Sequence, residues 1–109
     1  MTEQKQLENI QLINLTNSAA VQLKLKNYHD VCTTCQCALK LDPKNLKAVY
    51  RRGLAHIELK NYELALEDLK KAHQIIPENK AILDAFERAK SYLMDHRKKE
   101  KSAYSKLFQ

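Results

Sequence analysis

The chain has 109 residues, room for one small domain with one modest core, and it carries one Gly, two Pro and no Trp, too little turn chemistry for an all-β fold. Its three cysteines are an odd number crowded into one stretch, which argues against a disulfide framework, and no segment is apolar enough to span a membrane. The formal charge of +6 is unevenly spread: residues 86–109 hold seven Lys/Arg against three Asp/Glu, a basic tail suited to acidic surfaces in general.

The opening, MTEQKQLENI, is polar where a secretory signal needs an apolar run. Together with the unpaired thiols it implies a reducing, cytoplasmic setting. Beyond it the chain repeats itself. LKLKNY at 23–28 returns as IELKNY at 57–62, an offset of 34 residues that also relates Ala38 to Ala72, Pro43 to Pro77 and Asn45 to Asn79. Residues 12–45 and 46–79 therefore read as two copies of one unit within a single domain, 1–109.

Each copy predicts two helices, and the fold class is all-α. In the second copy an apolar-faced run extends from Lys47 to Leu59, a short KN break follows, and Leu66, Leu69, Ala72, His73 and Ile76 then keep helical spacing. Asn27 and Asn61 are the expected N-caps of the second helix of each pair. LDPKN and IPEN combine a helix stop with a new capping Asn, Asn45 and Asn79. The small residues Ala19, Gly53, Ala38 and Ala72 fall where paired helices must approach closely, and Tyr28 and Tyr62 would fill the wider gaps. In KAVYRRGLAHIELKNY, Lys47 and Arg51 share a helix face with nothing nearby to satisfy them, so two cations are expected to be free for a ligand.

After Asn79 a third unit fails. AILDAFERAKSYL continues helically with Ile82, Leu83, Phe86, Ala89, Leu93 and Met94 as its packing stripe, but it lacks the small residue that a unit needs. A long C-terminal capping helix over 80–109 is predicted instead. DHRKKEKS is charged all round and would project into solvent. Beyond it Tyr104, Leu107 and Phe108, three and four places apart, make an apolar patch whose exposure suggests contact with a partner.

Other chemistries fit less well. HDVCTTCQC offers His29, Cys32, Cys35 and Cys37, but Cys37 points about 200° away from Cys35 around a helix, so the four cannot converge on one tetrahedral zinc. Cys35 reads as a core residue, and His56 as a packing-face histidine rather than a base. With one Gly a phosphate cradle is close to excluded, and no carboxylate pair or Ser/His/Asp set appears, so no enzyme activity and no cofactor are expected. Nucleic acid is the rival partner class, favoured by a pI near 9.3. Against it, the five Tyr and two Phe sit mostly at packing positions and are not interleaved with the basic run.

A 34-residue helix–turn–helix with small residues at its eighth and twenty-seventh places, an aromatic at the seventeenth and Pro at the thirty-second resembles the tetratricopeptide repeat (TPR). Two departures are Val31, where Ala is usual, and Gln22, where a large apolar residue is usual. The resemblance implies a right-handed stack in which the first helix of each pair lines a concave groove. Its groove-facing places fall on Ile13, Thr16, Asn17 and Ala20, then on Lys47, Tyr50, Arg51 and Leu54.

Asn17, Lys47 and Arg51 are similar to part of the carboxylate clamp of chaperone cofactors, which holds the acidic Met-Glu-Glu-Val-Asp tail of cytosolic heat-shock chaperones. The clamp's Lys and Asn from a first repeat have no counterpart here, since about eleven residues precede residue 12. The resemblance thus implies a partial clamp that binds weakly. The same gap would leave Ile10, Ile13 and Leu15 without cover and favour self-association.

The C-terminal segment from Glu78 is similar to the last helix of the large immunophilins, prolyl isomerases that carry a TPR domain, with the cyclophilin type suggested by the ending around Tyr104. In that family the tail modulates chaperone binding, and basic tails have been proposed as calmodulin sites. No isomerase domain fits within these 109 residues, so that catalysis is not expected of this chain.

Overall fold

The computed structural model describes residues 2–108. Among them it contains five helices: α1 (Glu3–Lys24), α2 (Tyr28–Leu41), α3 (Leu46–Glu58), α4 (Tyr62–Ile75) and α5 (Lys80–Lys106). Each helix packs on the next; α1 also reaches α3, and α3 reaches α5. The odd-numbered helices therefore form one layer and α2 and α4 the other, the expected all-α, TPR-type stack of paired helices closed by a fifth.

The boundaries follow from local chemistry. Asn45 and Asn79 cap α3 and α5, their side-chain oxygens accepting from Ala48 N (3.0 Å) and Ile82 N (3.1 Å). The expected caps at Asn27 and Asn61 do not form: neither side chain accepts a bond from its helix. The chain turns there through left-handed Lys26 (φ 62°) and Lys60 (φ 64°). The following backbone N–H groups donate to Gln22 O (2.9 Å) and His56 O (2.8 Å), which closes the preceding helix instead. At the other end Thr2 accepts from Lys5 N at 3.2 Å, and α1 begins nine residues before the first unit, at Glu3.

Small residues set the helix spacing. Ala19, Ala38 and Ala72 are fully buried. A Cβ added to Gly53 would stand 3.0 Å from Leu69 Cγ and 3.4 Å from Asp68 Cβ, so α3 and α4 meet where only glycine fits without displacement. The core around the first turn joins Ala19, Val31, Cys35, Ala38, Ala48 and Ala55, with Leu15, Leu23 and Tyr28 against it. A second cluster joins Ile57, Ala65, Leu69, Ala85 and Ala89, with Tyr50, Leu54, Tyr62 and Phe86 against it. Leu15, expected to lack cover, is thus packed. Ile10 and Ile13 are exposed as expected, with Leu7, Val21 and Leu25.

On α5 the covering face is narrower than the predicted stripe. Ile82, Ala85 and Ala89 are buried, whereas Leu83 (42% exposed) and Met94 (64%) face outward. A terminal helix has a neighbour on one side only, which leaves part of a wide stripe in water. Tyr92 rests on Tyr62 with ring centroids 5.7 Å apart, and Arg97 reaches Glu63 at 3.1 Å. Past Arg97 the described ion pairs lie within the helix itself, His96 with Glu100 and Asp95 with Lys99. The molecule is accordingly elongated, 66 Å in its longest dimension. No described helix is long and apolar enough to cross a membrane.

Candidate functional site

Helix α3 presents opposite chemistry on two sides. Toward α4, Arg52 Nε and Nη2 donate to Asp68 Oδ2 and Oδ1 at 2.8 and 2.7 Å, a bidentate pair in which Asp68 is buried. His56 Nε2 lies 3.9 Å from Asp68 Oδ2, and its Nδ1 lies 3.9 Å from Cys32 Sγ. Burial lowers the His56 pKa, with Asp68 opposing and Arg52 reinforcing that shift. Burial raises the Cys32 thiol and pushes Cys35 up to about 11, so neither is poised as a nucleophile. Cys37 and His29 are exposed, and no group of three metal-ligating side chains occurs among the described residues. This side of α3 is structural.

The other side carries Lys47, Arg51, Leu54 and Glu58, spaced i, i+4, i+7 and i+11 along one stripe. Lys47 is exposed and has no ion pair among the described residues. Arg51 is not free as predicted: its Nη1 donates to the carbonyl of Thr16 on α1 at 2.7 Å. That bond uses one of five guanidinium N–H groups and leaves the rest for a ligand. It also fixes the guanidinium beside Asn17, the next residue of α1. Thr16 itself is buried, its hydroxyl donating to Ile13 O at 3.1 Å. Asn17 is exposed and lines a shallow recess with Asn14, Ser18, Val21 and Gln22.

Tyr50 and Leu54, expected to line the groove, are half-buried and pack toward the cluster around Leu69, Ala85 and Ala89, so part of each is taken up by the core. At the far end the rings of Tyr104 and Phe108 meet at a tilt of 55° with centroids 4.9 Å apart, and Leu107 beside them is 78% exposed. These three side chains are exposed together at the end of α5. The Arg52–Asp68 pair was not foreseen; its members stand where the first unit has Ser18 and Thr34, so the repeat carries no trace of it.

Comparison with known proteins agrees with this architecture. The family model of the tetratricopeptide repeat matches residues 47–79. The C-terminal TPR-containing domain of a protein of the FK506-binding type from Plasmodium falciparum superposes with a TM-score of 0.83 at 31% identity, covering 90% of this chain and 67% of that one. The chain belongs to the tetratricopeptide-repeat family. It is homologous to the C-terminal TPR region of large immunophilins: it is 31% identical over 107 residues to the human peptidyl-prolyl cis-trans isomerase FKBP4.

That match takes in 98% of this chain and 23% of the relative, so the chain spans about a quarter of the relative's length and does not cover its isomerase domain. The human protein and FK506-binding protein 59 of Drosophila melanogaster (32% identical, 95% of this chain and 24% of that protein) are large immunophilins, as expected, and are of the FK506-binding type, whereas the ending around Tyr104 suggested the cyclophilin type. The first TPR of Spaghetti (RPAP3), solved bound to the HSP90 peptide SRMEEVD, is 25% identical with a TM-score of 0.74, covering 76% of this chain and 66% of that one.

Proposed function

We propose that this TPR domain, taken over residues 1–109, is an adaptor that binds the acidic C-terminal peptide of heat-shock chaperones in the cytoplasm and docks a larger cofactor onto them. One observation carries the reading: Arg51 is held by the Thr16 carbonyl beside Asn17, while Lys47, on the same stripe, has no ion pair among the described residues. Lys47 and Arg51 grip peptide carboxylates through charge-assisted hydrogen bonds, and Asn17 orients the peptide without adding charge. The exposed edges of Tyr50 and Leu54 lie along the same path. The peptide-bound structure of the related Spaghetti domain supports this ligand class.

Calorimetric titration with SRMEEVD tests the reading, with a C-terminally amidated peptide and the Lys47→Ala/Arg51→Ala double variant as controls. Measurable binding that falls at least tenfold in the double variant is the expected result, a loss of about 1.4 kcal/mol or more. Equal binding by the double variant would remove these residues from the site.

Two further surfaces have roles under the same proposal. Tyr104 and Phe108, whose rings touch at a tilt, form with Leu107 a tail contact for the chaperone; calmodulin is the other partner to titrate against it. The exposed apolar residues of α1 support self-association. A monodisperse monomer at high concentration in light scattering would eliminate that second role.

A further inference from the structure

Among the described helices α1 packs on α2 and α3 and on no other, with Thr16 and Ala19 turned inward. On its outer side Leu7, Ile10, Asn14, Asn17, Val21 and Leu25 follow one another at steps of three or four residues. That is the spacing of helices that pair side by side. All six are exposed, and the four aliphatic side chains keep 56–64% of their surface in water. The stripe runs for roughly 27 Å. Its middle is polar: Asn14 and Asn17 line the shallow recess with Ser18, Val21 and Gln22, and none of the described hydrogen bonds of α1 uses either amide. Its ends differ in charge, with Glu3 in the first turn and Lys24 in the last.

We propose that this face binds α1 of a second copy of the chain, the two helices running antiparallel about a two-fold axis, so that Asn14 and Asn17 of one copy meet Asn17 and Asn14 of the other. The inference rests on the self-association and peptide-groove readings above. In that register Ile10 faces Val21 of the other copy and Leu7 comes level with Leu25, which sets apolar pairs on both sides of the amides. Each amide carries donors and an acceptor, so the four side chains can satisfy one another across the axis. Polar residues at the seam of a helix pair also fix its register.

Charge selects the direction. A parallel pair would set Glu3 against Glu3 and Lys24 against Lys24, with the helix dipoles aligned. An antiparallel pair brings each acidic start to a basic end and opposes the dipoles. A helix pair of this length covers less than the roughly 1,200 Å² of a standard interface, so it forms at high protein concentration. Asn17 then has two uses that exclude each other. In the pair it faces Asn14 of the other copy; in the groove it orients the peptide. Self-association therefore blocks part of the peptide site, and peptide releases the pair.

Sedimentation equilibrium tests this on wild type, Ile10→Glu and Val21→Lys, with reductant present because Cys37 is exposed. Both substitutions fall on exposed positions, so the variants are expected to melt as wild type does. Wild type should self-associate weakly, and each variant alone at least about tenfold more weakly still. An equimolar mixture of the two variants should recover most of the loss. Antiparallel pairing sets the new carboxylate of one against the new ammonium of the other and leaves Val21 and Ile10 together at the second contact. Saturating SRMEEVD should weaken wild-type self-association about three- to tenfold.

If both variants associate as wild type does, the outer face of α1 is not the contact and the inference is wrong. If each variant is weakened and the mixture stays weak, α1 is a self-association surface but the antiparallel register is wrong. Unchanged association in peptide-saturated protein would take Asn17 out of the paired face. A wild type that stays monomeric at every concentration would remove self-association and this inference together, and the clamp would stand or fall by its own titration.

Discussion

Arg51 and Arg52 are adjacent in the chain, yet they belong to different regions of the molecule. Arg52 faces α4, and the Nε–Nη2 edge of its guanidinium donates to both oxygens of a buried carboxylate. Arg51 faces α1, is half-buried, and gives one hydrogen bond to the Thr16 carbonyl, which uses one of its five N–H groups. Identical side chains thus do different jobs. Removing the partner of the first leaves a half-buried guanidinium without its two hydrogen bonds. Removing the second takes away a donor from a surface that remains well satisfied. The lesson is that charge on a repeat helix must be assigned face by face: a count of cations over 47–52 says nothing about which can meet a ligand.

The contrast predicts a clean separation of stability from binding. Asp68→Ala should cost about 1–3 kcal/mol in chemical denaturation, because the half-buried Arg52 loses both its hydrogen bonds, and whatever remains folded should bind peptide unchanged. Gly53→Val, on the same inner side, should cost about 1–3 kcal/mol through overlap with Leu69, again without a specific effect on binding. Arg51→Ala should reverse the pattern, with about 1 kcal/mol or less of stability lost and a large drop in affinity. A variant on the inner side that spared stability, or one on the outer side that unfolded the chain, would break the distinction.

Two smaller effects sharpen it. Lys60 occupies a left-handed conformation, so Lys60→Gly should raise stability by about 0.5 kcal/mol and leave the groove untouched. His56 has a pKa below its unfolded value because of burial. As pH falls through 6.5 the unfolded chain takes up the proton first, so the His56 contribution is intact above that value and is lost toward the folded pKa. The melting temperature of wild type should therefore drop more steeply between pH 7 and pH 5 than that of His56→Gln.

Much of the architecture was legible because it repeats. The offset from LKLKNY to IELKNY located the helix pairs, and Asn45 and Asn79 cap as read, since an Asn after a Pro stop has little other local use. What does not repeat was harder. Arg52 and Asp68 have no counterpart in the first unit, and their pairing across two helices leaves no periodic mark in one sequence. The turns at Lys26 and Lys60 misled for a related reason: the left-handed place holds lysine where glycine would have announced it, and Asn27 and Asn61 then looked like caps. On α5, the spacing of Leu83 and Met94 fitted a wide apolar face, but only a helix with neighbours on both sides buries one. The groove residues are proposed from family resemblance; the bond from Arg51 to the Thr16 carbonyl was not legible in the sequence.

The open side of α1 has a consequence for how the molecule breathes. In a stack where each helix leans only on its neighbours, cooperativity is passed along like load through a row of books, and the end volume is held from one side. Amide exchange should therefore be faster in α1, and in the projecting end of α5, than around Val49 and Leu69 in the middle of the row. Because α1 supplies the carbonyl that steadies Arg51, an opening of that end would loosen the cation as well. A peptide that bridges α1 and α3 would act as a bookend, and protection gained in α1 on binding would report ligand occupancy from a distance.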